Sequence, residues 1–232
     1  MKQGKGSLFM YVIHFGEIFG YLDILWAGML VTFKLSVLTM LIGTILGIFV
    51  AIARLSKNRL VCFFSTMYVE VLRNVPVLLV LYIIYYGIPS HIKGLSFNPF
   101  WASVIALSVN SSAYESEIIR GGIKGIMKEE IEAAFSLSLR KMQVFYYIII
   151  PHALRLIWDA LGNQLVAIIL GSSITSIITL GELTYNALEI GSRTARHFEI
   201  FVVLLLIYVV LGFILSSLFR LIKKLFLRPM NL

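Results

Sequence analysis

"IEAAFSLSLRKMQVFYYIIIP", residues 131–151, joins two kinds of sequence. It opens with charged and alanine-bearing residues of good helix propensity and ends in an apolar run closed by Pro151. The chain on either side is apolar enough to live in lipid. A polar helical segment between apolar stretches must meet water, lipid head groups or a protein partner. Which of these it meets decides the architecture.

The surrounding composition sets the class. The 232 residues are 59% hydrophobic, too apolar for a soluble domain of this length, so the chain reads as a polytopic membrane protein. A membrane-crossing helix needs about 20 mainly apolar residues. Apolar stretches near 27–53, 61–88, 98–120, 155–180 and 198–219 predict five transmembrane helices in a single all-α domain over 1–232. The segment 121–150 becomes a loop between the third and fourth of them. The single cysteine, Cys62, excludes a disulfide within the chain. The N-terminal apolar stretch lacks a small-residue cleavage pattern and reads as part of the protein rather than a removable signal.

Charge gives the orientation. Arg54, Lys57 and Arg59, six basic residues between Arg120 and Arg155, and Arg220, Lys223, Lys224 and Arg228 put thirteen cations on one side. The other side has five: Lys2, Lys5, Lys93, Arg193 and Arg196. The richer side is expected in the cytoplasm, with the N-terminus outside and the C-terminus inside. The net charge of +8 is thus explained by loops facing the cytoplasm, not by nucleic acid. Residues 131–151 then lie in a cytoplasmic connection.

Several polar residues fall inside the predicted spans, where they are costly unless they face protein or a water-filled cavity. In "YVEVLRNVPVLLVLYIIYYG", Arg73 and Asn74 sit near mid-span and Pro76 predicts a kink. Arg73 is a candidate substrate contact, or an ion-pair partner of Glu70 three residues earlier. In "FWASVIALSVNSSAYESEIIRGGIKG", Asn110, Tyr114, Glu117 and Gly121 share one helix face. Such a stripe lines a transport path or bonds neighbouring helices. In the fourth span Gly171 reads as a packing contact, while Ser172 and Ser173 remain open between packing and path. Glu182 reads as a solvated charge at the outer rim.

The chain contains no phosphate-binding GxxxxGK[ST], no HExxH, no GxSxG and no His/Cys cluster of metal-ligand spacing. Nothing indicates an enzyme, and a transporter driven by ATP would need its ATPase, with ATP and Mg, on another chain. Ile131, Ala134, Phe135, Ser138 and Met142 fall on one face of a helix drawn through the opening stretch, with Glu129, Glu130, Glu132 and Lys141 mostly elsewhere. Such a helix docks into a protein groove or lies on lipid. Its acidic first turns suit a groove better than an anionic leaflet.

The "EAA" at Glu132, Ala133 and Ala134, with "IIIP" ending at Pro151, resembles the EAA loop of ABC importer permeases. "YVEVLRNVPVLLVLYIIYYGIP" (68–89), "SVNSSAYESEIIRGGIKGI" (108–126), "PHALR" (151–155) and "LGNQLVAIILGSSITSIITLGELT" (161–184) are similar to the polar amino-acid branch, which imports histidine, glutamine, arginine or cystine. The resemblance covers roughly 20–220. It implies five helices per subunit in the inner membrane, a second permease copy or paralogue, two cytoplasmic ABC ATPase subunits and an external solute-binding protein. It assigns Glu132, Ala133, Ala134, Ser138 and Pro151 to coupling with the ATPase, while the polar residues Arg73, Asn74, Asn110, Tyr114, Glu117, Ser172 and Ser173 are the candidates for the substrate path. Alternatives are an ABC permease for another small solute and an ion-driven carrier. Two departures stand out. Ser138 replaces the family's glycine. Leu170 and Gly171 stand where many relatives carry lysine and aspartate, so the pocket is altered or this subunit engages substrate less.

Overall fold

A computed structural model describes residues 13–226. Every regular element among them is helical. In chain order these are α1 (Gly16–Phe19), α2 (Leu22–Arg54), α3 (Arg59–Asn74), α4 (Val77–His91), α5 (Pro99–Lys124), α6 (Lys128–Ser136), α7 (Lys141–Ile178), α8 (Leu183–Thr194) and α9 (His197–Phe226). Lys2, Lys5 and Arg228 of the charge tally lie outside the described residues.

Three helices are long and apolar enough to cross a membrane: α2, α7 and α9. The bent pair α3–α4 makes a fourth if it counts as one span. The remaining expected span, the third in chain order, is α5, which has the length at 26 residues but not the apolarity. The cause is its position. Ser103, Ser108, Ser111, Ser112, Glu115 and Ser116 are all buried, because α5 is wrapped by α2, α3, α4 and α7 and its polar face meets protein. Small residues set the spacing of the α2–α5 pair. A Cβ on Gly43 would stand 3.0 Å from Glu115 Oε1, and one on Gly47 3.2 Å from the Ser112 carbonyl oxygen.

Pro76 breaks the second span as its sequence predicts. Val75, ahead of the proline, is extended (φ −102°, ψ 133°), and α3 meets α4 at 104°. Two other prolines do not end their helices. Pro89 and Pro151 each follow a π-helical turn, Ile83–Gly87 and Phe145–Ile149, whose successors bond back five residues: Ile88 N–H to Ile83 O and Ile150 N–H to Phe145 O. The extra residue in the turn moves the carbonyls that an α-helical proline would strike. The fourth span is therefore longer than expected. It starts at Lys141 instead of near 155 and runs 38 residues straight through Pro151.

The rim assignment of Glu182 is overturned. Its side chain is fully buried and caps α8, accepting from Tyr185 N–H at 2.7 Å and Thr184 N–H at 2.9 Å. Thr32 of α2 and Tyr208 of α9 also donate to it, so one carboxyl ties three helices at the end of the bundle opposite Arg54. Burial pushes the Glu182 carboxyl up to about 7, against the pull of those donors. Beside it Leu25, Leu183, Ala187, Ile190, Ile200 and Leu204 form an apolar cluster.

Candidate functional site

The polar stripe of α5 faces α3 and α4. Asn110 Nδ2 donates to Leu72 O at 3.0 Å, and Tyr114 O–H to Arg73 O at 3.4 Å. These carbonyls are near the end of α3, where the break before Pro76 leaves backbone acceptors without helical partners. The stripe thus performs the inter-helix bonding role. It also borders a cavity of about 220 Å³, walled by Val77, Leu107, Asn110, Ser111, Tyr114, Gln164, Ala167, Ile168 and Gly171. The cavity lies where α4, α5 and α7 meet, with Val77, the residue after Pro76, in its wall.

Glu117, one turn from Tyr114, does not reach that cavity. It bonds Arg54, pairs with Arg120 at 2.5 Å and stands 3.9 Å from Arg73. Three cations on one carboxylate leave this corner net positive. Arg73 thus faces Glu117 rather than Glu70: among the described residues no ion pair joins Glu70 to Arg73. Arg73 also lies over the Tyr114 ring, 5.7 Å from its centroid, so its charge is beside the cavity wall.

The remaining path candidates lie elsewhere. Asn74 donates to the Glu70 carbonyl at 2.7 Å and closes α3. Ser172 is fully buried and bonds Ile169 O at 2.7 Å. Ser173 bonds Leu170 O at 2.8 Å and lines a separate apolar groove against α9. Sequence reasoning missed Ser111, Gln164 as a wall residue, and Glu115. Ser111 and Glu115 lie on the stripe next to the one it followed, and an acidic residue inside a span was the signal that pointed there. Among the described residues, no group of three His, Cys, Asp or Glu side chains is placed to hold a metal.

The opening stretch forms α6, a turn, and the start of α7. The helix ends at Ser136, so Ser138 and Met142 do not continue its face as drawn from the sequence. Its end is a Schellman turn: Ser138 N–H bonds Phe135 O at 2.9 Å and Leu139 N–H bonds Ala134 O at 3.2 Å. Ser138 holds the left-handed position, φ 60°, that glycine adopts freely. Ala134 faces inward, while Glu132, Ala133 and Ser138 are exposed and Leu137 is 77% exposed at the tip. Glu130 and His152 join α6 to α7 at 2.7 Å. The result is a short, braced helix presenting acidic and apolar groups outward.

Residues 43–228 match the family described as binding-protein-dependent transport system inner membrane component. The chain belongs to that family. Among relatives of this inner membrane component, an arginine transport system permease protein of Bacillus subtilis is 35% identical over 197 residues, covering 85% of this chain and 90% of the relative. A nopaline transport system permease protein of Agrobacterium fabrum is 36% identical, with 84% of each chain covered. A chain in the crystal structure of an amino acid ABC transporter with histidines superposes with a TM-score of 0.85 at 34% identity, covering 92% of this chain and 99% of that one. A methionine ABC transporter structure at TM-score 0.66 and 17% identity shares the fold.

Proposed function

We propose that this chain is the permease subunit of an ATP-driven importer for a polar amino acid. In this reading the whole chain is one transmembrane domain with five crossings, the bent α3–α4 pair and the buried α5 included, and lies in the inner membrane. The N-terminus faces outward, and the Lys/Arg-rich ends of α2, α5 and α9 face the cytoplasm. The observation that carries the cargo class is identity near 35% over most of the chain to permeases named for arginine and nopaline. A small, mostly apolar cavity beside the broken span, with Asn110, Ser111, Tyr114 and Gln164 in its wall and of a size that suits one amino acid, supports it.

The segment 121–150 is the coupling loop. Helix α6, with exposed Glu132 and Ala133, docks in a groove of a cytoplasmic ATPase that carries ATP and Mg. Ser138 sets the turn, and Pro151 directs the chain into the membrane. Two ATPase chains, a second permease copy or paralogue, and an external solute-binding protein complete the assembly. Asn110 and Tyr114 border the cargo's cavity, with Arg73 over the Tyr114 ring beside it and Glu117 holding Arg73 from outside it.

Reconstitution with the partner ATPase and binding protein tests this. An amino-acid panel should contain at least one member that stimulates ATP hydrolysis, and Glu132→Lys or Ala133→Asp should uncouple hydrolysis from uptake or release the ATPase. A complex indifferent to every amino acid sinks the cargo reading. Normal uptake in both variants sinks the coupling assignment.

A further inference from the structure

Glu115 is fully buried between α2 and α5. One oxygen bonds Thr44, and the other accepts from Ser111 Oγ at 2.5 Å. Among the described residues no Lys, Arg or His lies within ion-pair distance of it. Gly43 and Gly47 press on it from α2. A close helix seam needs only small or hydroxyl side chains there, so an acid is a cost without a packing return.

Its remaining connection leads to the cavity. Ser111 is both its hydrogen-bond donor and a wall residue. From the facing wall, Gln164 Nε2 donates to Ser111 Oγ at 3.1 Å. That bond occupies a lone pair of Ser111 and directs its hydroxyl proton at Glu115. The acid therefore stands one hydroxyl behind the cavity surface. The edge toward α3 has the opposite sign: Arg73 lies over Tyr114, and Glu117 is outnumbered there by Arg54, Arg73 and Arg120. The cavity thus has cations at its Tyr114 edge and, behind Ser111, a carboxyl group that only hydroxyls meet.

We infer that Glu115, acting through Ser111, is a positioning residue that gives the cavity a preference for amino acids with a cationic side chain over neutral ones of similar size. The inference rests on the amino-acid reading above. The cargo's carboxylate turns toward Arg73 and its side-chain cation toward Ser111, where it supplies the opposite charge that Glu115 lacks. Behind a wall with little water that attraction is much stronger than in bulk solvent, and a neutral amide gains little of it.

The test compares arginine with glutamine as competing cargoes of the reconstituted complex of permease, ATPase and binding protein. Glu115→Gln keeps the side chain's shape and lowers the arginine-over-glutamine preference about tenfold, mainly through KM. Ser111→Ala, which cuts the link and leaves the acid, shifts the preference the same way. The same binding protein delivers both cargoes, so its selectivity cancels between wild type and variant. A purely structural Glu115 would lower both uptakes and the melting temperature together and leave the preference unmoved. That result overturns the inference. If Glu115→Gln does not assemble, the same ratio in Ser111→Ala decides between the two outcomes. A wild-type complex that answers to no amino acid breaks the functional reading instead. One that imports amino acids with a ratio insensitive to both variants breaks only this inference.

Discussion

Glu115 and Glu117 are two residues apart on the same helix and live in opposite electrostatic worlds. Two residues on an α-helix turn the side chain by about 200°. Glu117 points at the ends of α2 and α3, among Arg54, Arg73 and Arg120, while Glu115 points into the α2 seam and meets only hydroxyls. Glu182 adds a third environment, a buried carboxyl held by backbone N–H groups. Identical side chains in one bundle thus serve as ion-pair hub, buried acid beside a cavity, and helix cap. The neighbours contributed by other helices make the difference.

The contrast can be broken most forcefully at Glu117. Glu117→Ala leaves three cations around an empty site, with Arg54 almost buried, and is expected to cost about 3–5 kcal/mol, seen as loss of assembled protein or a collapsed melting temperature. A mild effect would mean that the hub is only a solvated surface cluster.

Next is Glu182, where pH reads the environment. Its folded pKa of about 7 lies above the ordinary value of 4.5. The folded state therefore holds a proton that the unfolded chain has released, and the stability contribution is complete below about 4.5 and lost as pH rises through 7. The total is at most of the order of 3 kcal/mol. Melting in detergent from pH 5 to 8 should show the decline, and Glu182→Gln should flatten it. An equal slope in the variant would remove Glu182 as its source.

At the seam, Gly47→Ala places a Cβ 3.1 Å from the Glu115 Cβ and 3.2 Å from the Ser112 carbonyl oxygen. Backbone cannot yield there as a flexible side chain would, so about 1–3 kcal/mol of stability should be lost. A neutral outcome would show that the α2–α5 pair has room to spread, which weakens the isolation of Glu115.

The smallest effect calibrates the scale away from all three acids. Ser138→Gly relieves a left-handed serine at the end of α6 and should stabilise that turn by about 1 kcal/mol, measured as slower proteolysis between Ser136 and Lys141. Faster cleavage would show that the serine side chain itself holds the turn.

Much of the architecture was legible. Apolar runs, the Pro76 break and the EAA segment are local signals, and each marks a feature of the fold. The boundary at 155 was missed because Pro151 reads as a helix stop in sequence, whereas a π turn before it lets α7 continue. Glu182 was missed because hydropathy assigns a polar residue between spans to water, and only the approach of Thr32 and Tyr208 buries it. The Asn110–Tyr114 stripe was visible as periodicity, but its immediate partners are carbonyls of α3, and these are exposed by a bend that sequence locates without aiming.

Residue order alone was therefore enough for an all-helical membrane chain, its proline break, its family resemblance and a short polar helix between apolar ones. These depend on spacing along the chain, to which helix period and hydropathy respond directly. Which acid is paired, which is buried, and which residues wall the cavity were settled only when the helices packed. Those outcomes depend on the rotation of each helix against its neighbours, where one or two positions along the chain turn a side chain from cations to hydroxyls.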